Sequence, residues 1–128
     1  MVTDPIADLL IRLRNASSVE KTHVSIPNSK MTRAVAEVLS KEGYVGEVDS
    51  SKKTNGITVS LLYKNGRPVI NGAKRISKPS RRMYMGVHDI QPVKHGYGLV
   101  VLSTPQGILS GKEAREKKVG GEVLFEIW

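Results

Sequence analysis

The chain contains no cysteine. Disulfides, thiolate zinc sites and cysteine nucleophiles are therefore excluded, and a reducing compartment suits the composition. No apolar run approaches the roughly 20 residues needed to cross a bilayer. Met1 is followed by Val2-Thr3-Asp4-Pro5, without a basic leader or an apolar targeting stretch. The expectation is a protein with no membrane partner, in the cytoplasm or in an organelle that makes its own proteins. Catalytic patterns are missing as well. His23, His88 and His95 lack metal-ligand spacing, and no Gly-x-Ser-x-Gly elbow surrounds Ser103. No Gly-Lys-Ser or Gly-Lys-Thr loop is present, and Gly96-Tyr97-Gly98 opens a strand, unlike a dinucleotide fingerprint. Neither enzyme, metal nor cofactor is expected.

Acidic residues are also scarce. Twelve Asp and Glu stand against twenty Lys and Arg, a net charge of +8, which favours a polyanionic partner through counterion release. The excess lies in the second half: residues 1–66 carry net +2 and residues 67–128 net +6. Arg67, Lys74, Arg75, Lys78, Arg81 and Arg82 occur without one intervening carboxylate, so no local salt bridge can neutralise them. A solvated face is the alternative to phosphate contact.

With 128 residues, 39% of them hydrophobic, the chain allows one domain or two small units. Asp4-Pro5 reads as a cap and first helical residue, followed by Ile6, Leu9, Leu10 and Leu13 at helical spacing to about Asn15. His23 to Ile26 reads as a strand. Asn28 or Ser29 caps a second helix that ends at Gly43, and Tyr44 to Val48 and Ile57 to Tyr63 read as strands around a polar turn at Lys52 to Gly56. This makes an αβαββ unit, residues 1–64, closed by the turn-rich joint Lys64 to Pro68.

Residues 65–128 form a second, mostly β unit with strands expected at Val69 to Ser77, Met83 to Val87, Leu99 to Ser103 and Val123 to Trp128. A Ser110-x-x-Glu113 capping box opens its one short helix, through Lys118. The fold class is therefore α+β.

Three features of the second unit bear on function. Ser103 and Thr104 leave an apolar strand for a Gly-ended loop, where hydroxyls either address base edges and ribose 2′-hydroxyls or cap their own turn. Gly120 and Gly121 either supply positive φ after the helix or let a ribose approach the backbone. Glu122 is useful toward RNA only as an acceptor from a base amino group or ribose hydroxyl. Tyr84, just after Arg81 and Arg82, can stack on a base or pack into the core. In the first unit, Arg12 and Arg14 lie on the polar side of the helix, as snorkelling residues or phosphate contacts. A DNA-binding or translational-control protein is the alternative class, but the two long helices lie in the less charged half and show no basic face for a major groove.

Three stretches, Leu99-Val-Val-Leu-Ser-Thr-Pro-Gln-Gly107, Ser110-Gly-Lys-Glu-Ala-Arg115 and Gly120-Gly-Glu-Val-Leu-Phe-Glu-Ile-Trp128, resemble the small-subunit ribosomal protein family conventionally numbered eight. Thr3-Asp-Pro-Ile-Ala-Asp-Leu-Leu-Ile-Arg-Leu-Arg-Asn-Ala16, Ile26-Pro-Asn-Ser-Lys30 and Glu42-Gly-Tyr44 extend the resemblance along the chain. It implies a primary RNA-binding protein of the bacterial-type small subunit, binding the central domain of 16S ribosomal RNA as the platform assembles. It also implies neighbours among the small-subunit proteins, those numbered five and twelve, a monomer off the ribosome, and binding to its own messenger RNA where that imitates the ribosomal site.

Carried onto this chain, the RNA contacts fall on Ser103, Thr104, Pro105 and Gln106, on Gly120, Gly121 and Glu122, and on Tyr84, beside the cations Lys78, Arg81 and Arg82. Thr3, Asp4, Arg14 and Lys30 would touch a second stretch of RNA with less sequence preference. Members commonly carry a third hydroxyl where this chain has Pro105, which removes that hydroxyl and a backbone N–H and stiffens the loop. A common Thr-Asp-Arg is replaced by Ser110-Gly111-Lys112, which keeps the cap but drops a carboxylate. His88 to His95 departs from the family pattern too.

Overall fold

The computed structural model describes residues 4–27, 29–49, 56–90 and 98–128. The cap candidate Asn28, the turn residues 52–55, and His95 with Gly96-Tyr97 lie outside the described residues, as does Thr3. The fold is mixed α+β, as expected, and divides into two compact units: Pro5–Asn71, and Gly72–Trp128 with Asp4.

In the first unit, α1 (Pro5–Ser18) and α2 (Lys30–Lys41) accompany β1 (His23–Pro27), β2 (Val45–Asp49) and β3 (Gly56–Leu61), which form an antiparallel sheet of order β1-β3-β2. Strict alternation along β3 turns Ile57, Val59 and Leu61 inward, and the register places Val24 beside Val59 and Ile26 beside Ile57 on the same face. Against them sit the helical stripes Ile6, Leu9, Leu10, Leu13 and Val35, Ala36, Val38, Leu39. Each large side chain so buried contributes about 1.5 to 3 kcal/mol. The joint at residues 64–68 is itself a hairpin, β4 (Tyr63–Lys64) with β5 (Arg67–Pro68). Asn65 and Gly66, at φ +55° and +76°, make its two-residue turn.

The second unit is built on β10 (Gly121–Ile127). One edge pairs with β8 (Leu99–Thr104), which continues to β9 (Gly107–Ser110); the other is shared by β6 (Ala73–Arg75) and β7 (Tyr84–Met85). The extended stretches anticipated around β6 and β7 are thus shorter than expected, because residues between them leave the sheet and Val87–Asp89 turn into a 3-10 helix. One face of the sheet buries Leu102, Leu109 and Val123 with Ile90, Val100 and Ala114. Met85, Ile76 and Val119 pack at its border, and α3 (Gly111–Glu116) lies over β8 and β9.

Ser110 caps α3 with the expected box: its hydroxyl accepts from Glu113 N–H at 3.2 Å. For α2 the cap is Ser29, with Thr32 reciprocating. Among the described residues, α1, α2 and α3 each end in paired 6→1 and 5→2 hydrogen bonds around one left-handed residue. For α1 these are Lys21 N–H to Ala16 O and Glu20 N–H to Ser17 O, with Glu20 at φ +58°. For α2 they are Tyr44 N–H to Leu39 O and Gly43 N–H to Ser40 O, with Gly43 at φ +84°. For α3 they are Val119 N–H to Ala114 O and Lys118 N–H to Arg115 O, with Lys118 at φ +55°. The left-handed position after α3 thus belongs to Lys118, not to the glycine pair at 120–121.

Candidate nucleic-acid interface

Three strands bring Tyr84, Glu122 and Ser103 into line. The register pairs Glu122 with Tyr84 across β7–β10 and with Ser103 across β10–β8, so the three side chains share the face opposite the Leu102–Val123 core. Tyr84 is 70% exposed, which settles its ring as a surface group and not a core one.

Gly120 and Gly121 allow this row to be close-set. A Cβ on Gly121 would run into the carbonyl oxygen of Ser103, and one on Gly120 into the carbonyl oxygen of Met85. The pair is needed for close approach of neighbouring strands. Positive φ, one of the readings open from sequence, is not its reason: among the described residues the positive-φ glycines are Gly43, Gly66 and Gly107.

The two hydroxyls after the apolar run have different roles. Thr104 Oγ1 donates to Gly107 O at 2.8 Å and accepts from Gln106 N–H at 3.1 Å, so its proton and one of its two lone pairs are used inside the β8–β9 turn, with Pro105 and Gln106 at the exposed corner. The Gly-ended loop is thus a tight hairpin, closed by the Thr104–Gly107 pair. Ser103 Oγ has no hydrogen-bond partner among the described residues and stays available on the row.

The segment between β6 and β7 carries the cations. Lys78 and Arg81 exchange backbone hydrogen bonds, both at 2.9 Å, around Pro79-Ser80, so Lys78, Arg81 and Arg82 project from a small hairpin beside the Tyr84–Glu122 pair. Ser77, which sequence reasoning passed over, is buried at its root. Its hydroxyl donates to Glu122 Oε2 at 2.5 Å and accepts from Met83 N–H at 3.1 Å. Arg82 reaches the same oxygen at 2.9 Å. Partial burial pushes the Glu122 carboxyl up, but the hydrogen bonds from Ser77 and Arg82 and the charges of Arg82 and Arg75 outweigh it and hold the group below the usual carboxylate range.

The basic run is therefore partly neutralised by residues remote in sequence. Arg82 pairs with Glu122, and Arg75 Nε with both oxygens of Asp4 at 3.0 and 3.2 Å. Arg75 also donates to Leu124 O, so Asp4 and Arg75 act as structural partners. In the first unit Arg12 is committed to Asp8 at 3.1 Å and to Ser25 O at 3.0 Å, whereas Arg14 and Lys30 are exposed on α1 and α2. No helix is long and apolar enough to cross a membrane among the described residues, and no group of three His, Asp or Glu there could hold a metal ion.

These features describe a small α+β protein of two units with a cationic, aromatic-bearing sheet surface. The family description "Ribosomal protein S8" matches residues 4–128. The small ribosomal subunit protein uS8 of Desulfovibrio desulfuricans is 50% identical over 128 residues, covering 100% of both chains. That of Nitratidesulfovibrio vulgaris is 48% identical over the same coverage, and that of Roseiflexus castenholzii 47% over 130 residues, 99% of this chain and 98% of the relative. The chain belongs to the ribosomal protein S8 family of the small ribosomal subunit, a family of ribosomal components and not of enzymes.

Proposed function

We propose that this protein binds ribosomal RNA directly, as a primary binder of the 16S central domain that helps assemble the platform, with its carboxy-terminal unit supplying recognition. The observation that carries the reading is the row Tyr84–Glu122–Ser103 flanked by the Lys78–Arg82 hairpin, in a chain of this family. Charge and geometry divide the work. Lys78, Arg81 and Arg82 attract phosphate, whereas Tyr84 offers a ring to an unstacked base, and the Ser103 hydroxyl and Gln106 amide can address base edges or ribose hydroxyls. Thr104 and Pro105 fix the corner that presents Gln106, and Gly120-Gly121 keep the strands close enough for backbone groups to meet the RNA. Glu122 contributes through the cations beside it.

Arg14 and Lys30, with Thr3, make a second, less selective contact from the amino-terminal unit. On the ribosome the protein neighbours those numbered five and twelve, and off it the chain is a monomer that also binds its own messenger RNA.

Competition binding at one fixed salt concentration, with a bulged RNA helix, single-stranded RNA and duplex DNA, tests the reading. The bulged helix should win. A preference for duplex DNA would overturn it in favour of a DNA-binding protein.

A further inference from the structure

Glu122 is an odd group to find on an RNA-facing surface, since a carboxylate repels phosphate. Its hydrogen bonds give it another role. Ser77, with no exposed surface, ties the 77–83 segment shut by accepting from Met83 N–H and donates its own hydrogen bond to Glu122 Oε2. Arg82 is held on that same oxygen although half of its side chain is exposed. One carboxylate oxygen thus links a buried hydroxyl, a hairpin root and a surface guanidinium. An ion pair to so exposed an arginine adds little to fold stability, so the arrangement is better explained by where it puts Arg82 than by what it adds to the core.

We propose that Ser77 and Glu122 are positioning residues, which hold Arg82 and the Lys78–Arg82 hairpin in a single pose and so set the preference for structured RNA over unrelated RNA without touching either. This rests on the RNA reading of the outer row and deepens it. A held guanidinium loses less freedom on meeting a phosphate of matching geometry. A released one serves any phosphate within reach, and Gln in place of Glu also removes a repelling charge. Selectivity should then fall while non-specific attraction rises.

The test measures affinity for a bulged RNA helix and for an unrelated single strand of equal length, across a salt series. The parent, Glu122→Gln, Ser77→Ala, Arg82→Ala and the Glu122→Gln/Arg82→Ala double variant are compared, with unfolding midpoints alongside. Glu122→Gln should weaken bulged-helix binding roughly tenfold, within the range of coupled contacts, while single-strand affinity holds or rises and its salt slope steepens. In the Arg82→Ala background most of that loss should vanish. Ser77→Ala should repeat the pattern; should it fail to fold, Glu122→Gln, which leaves the Ser77–Met83 link in place, carries the test. Equal losses in both backgrounds would mean that Glu122 meets RNA itself, and an unchanged preference would mean that the hairpin needs no anchor; either overturns the proposal. A parent without preference between the two RNAs would instead bring down the RNA reading of the surface, and the positioning role with it.

Discussion

Replacing Gly121 by Ala should be among the most damaging one-methyl changes available in the carboxy-terminal unit. Gly121 sits where β10 enters the sheet, opposite Met85 on one side and against β8 on the other. The new Cβ would run into the carbonyl oxygen of Ser103, with the Ser103 carbonyl carbon at 2.9 Å and Thr104 Cα at 3.1 Å. These are backbone atoms, which cannot rotate away as a side chain can. Relief requires β8 and β10 to part, against a normal strand separation of about 4.8 Å. Overpacking that side chains can absorb costs roughly 1 to 3 kcal/mol, so a backbone wall puts this variant at the upper limit, about 3 kcal/mol or two decades in the folding equilibrium. The reference is Gly43→Ala. There φ is +84° with nothing within 4 Å of the new methyl, and the cost is the left-handed penalty alone, about 1 to 2 kcal/mol. Urea unfolding followed by far-UV circular dichroism, with the slopes of the two variants compared, separates the cases. If Gly121→Ala proved no more costly than Gly43→Ala, strand proximity would not be the reason for this glycine.

The helix ends predict gains. Lys118→Gly and Glu20→Gly remove a side chain from a left-handed position and should each stabilise the protein by about 0.5 to 1 kcal/mol, read as a rise in urea midpoint. Tyr84→Ala should leave the midpoint within about 0.5 kcal/mol, because the ring is largely exposed, yet weaken RNA binding by about 1 to 3 kcal/mol. Glu122, whose carboxyl titrates below the usual range when folded, contributes stability that is present above the unfolded-state pKa and lost as pH falls through the folded-state value. The difference in unfolding midpoint between the parent and Glu122→Gln should accordingly be largest near neutrality and close on acidification; a gap that widened in acid would contradict the hydrogen bonds assigned to that group.

Local signals carried the fold well wherever the residue type matched the backbone it had to adopt. Ser110 and Glu113 announced α3, the alternation from Ile57 to Leu61 announced β3, and Gly43 marked the end of α2 because, of the described α-helix ends, that one alone has glycine in the left-handed position. The first helix was expected to stop near Asn15 but continues to Ser18, since its terminating residue is Glu20, a type that gives no such warning. Strand β9 was missed although Pro105-Gln106-Gly107 has turn composition. Ile108 and Leu109 complete a hairpin that only pairing with Leu102 and Ser103 makes evident.

Residues of the candidate site can be named from the sequence, but the hydrogen bonds and ion pairs that connect them cannot. From sequence, Ser103 and Thr104 are equivalent neighbours; they part because strand alternation turns Ser103 onto the row with Glu122 and Tyr84, while Thr104 closes its own turn through two local hydrogen bonds. The same limit applies to charge. Arg75 and Arg82 stand in a stretch without carboxylates, yet each meets one from far along the chain, Asp4 and Glu122. Of the six cations in that run, these two are fixed to the fold, whereas Lys78 and Arg81 are joined to each other only through backbone. Electrostatic attraction can therefore be spread over the whole hairpin while orientation is concentrated in Arg82, the one cation there whose partner is in turn held by a buried hydroxyl.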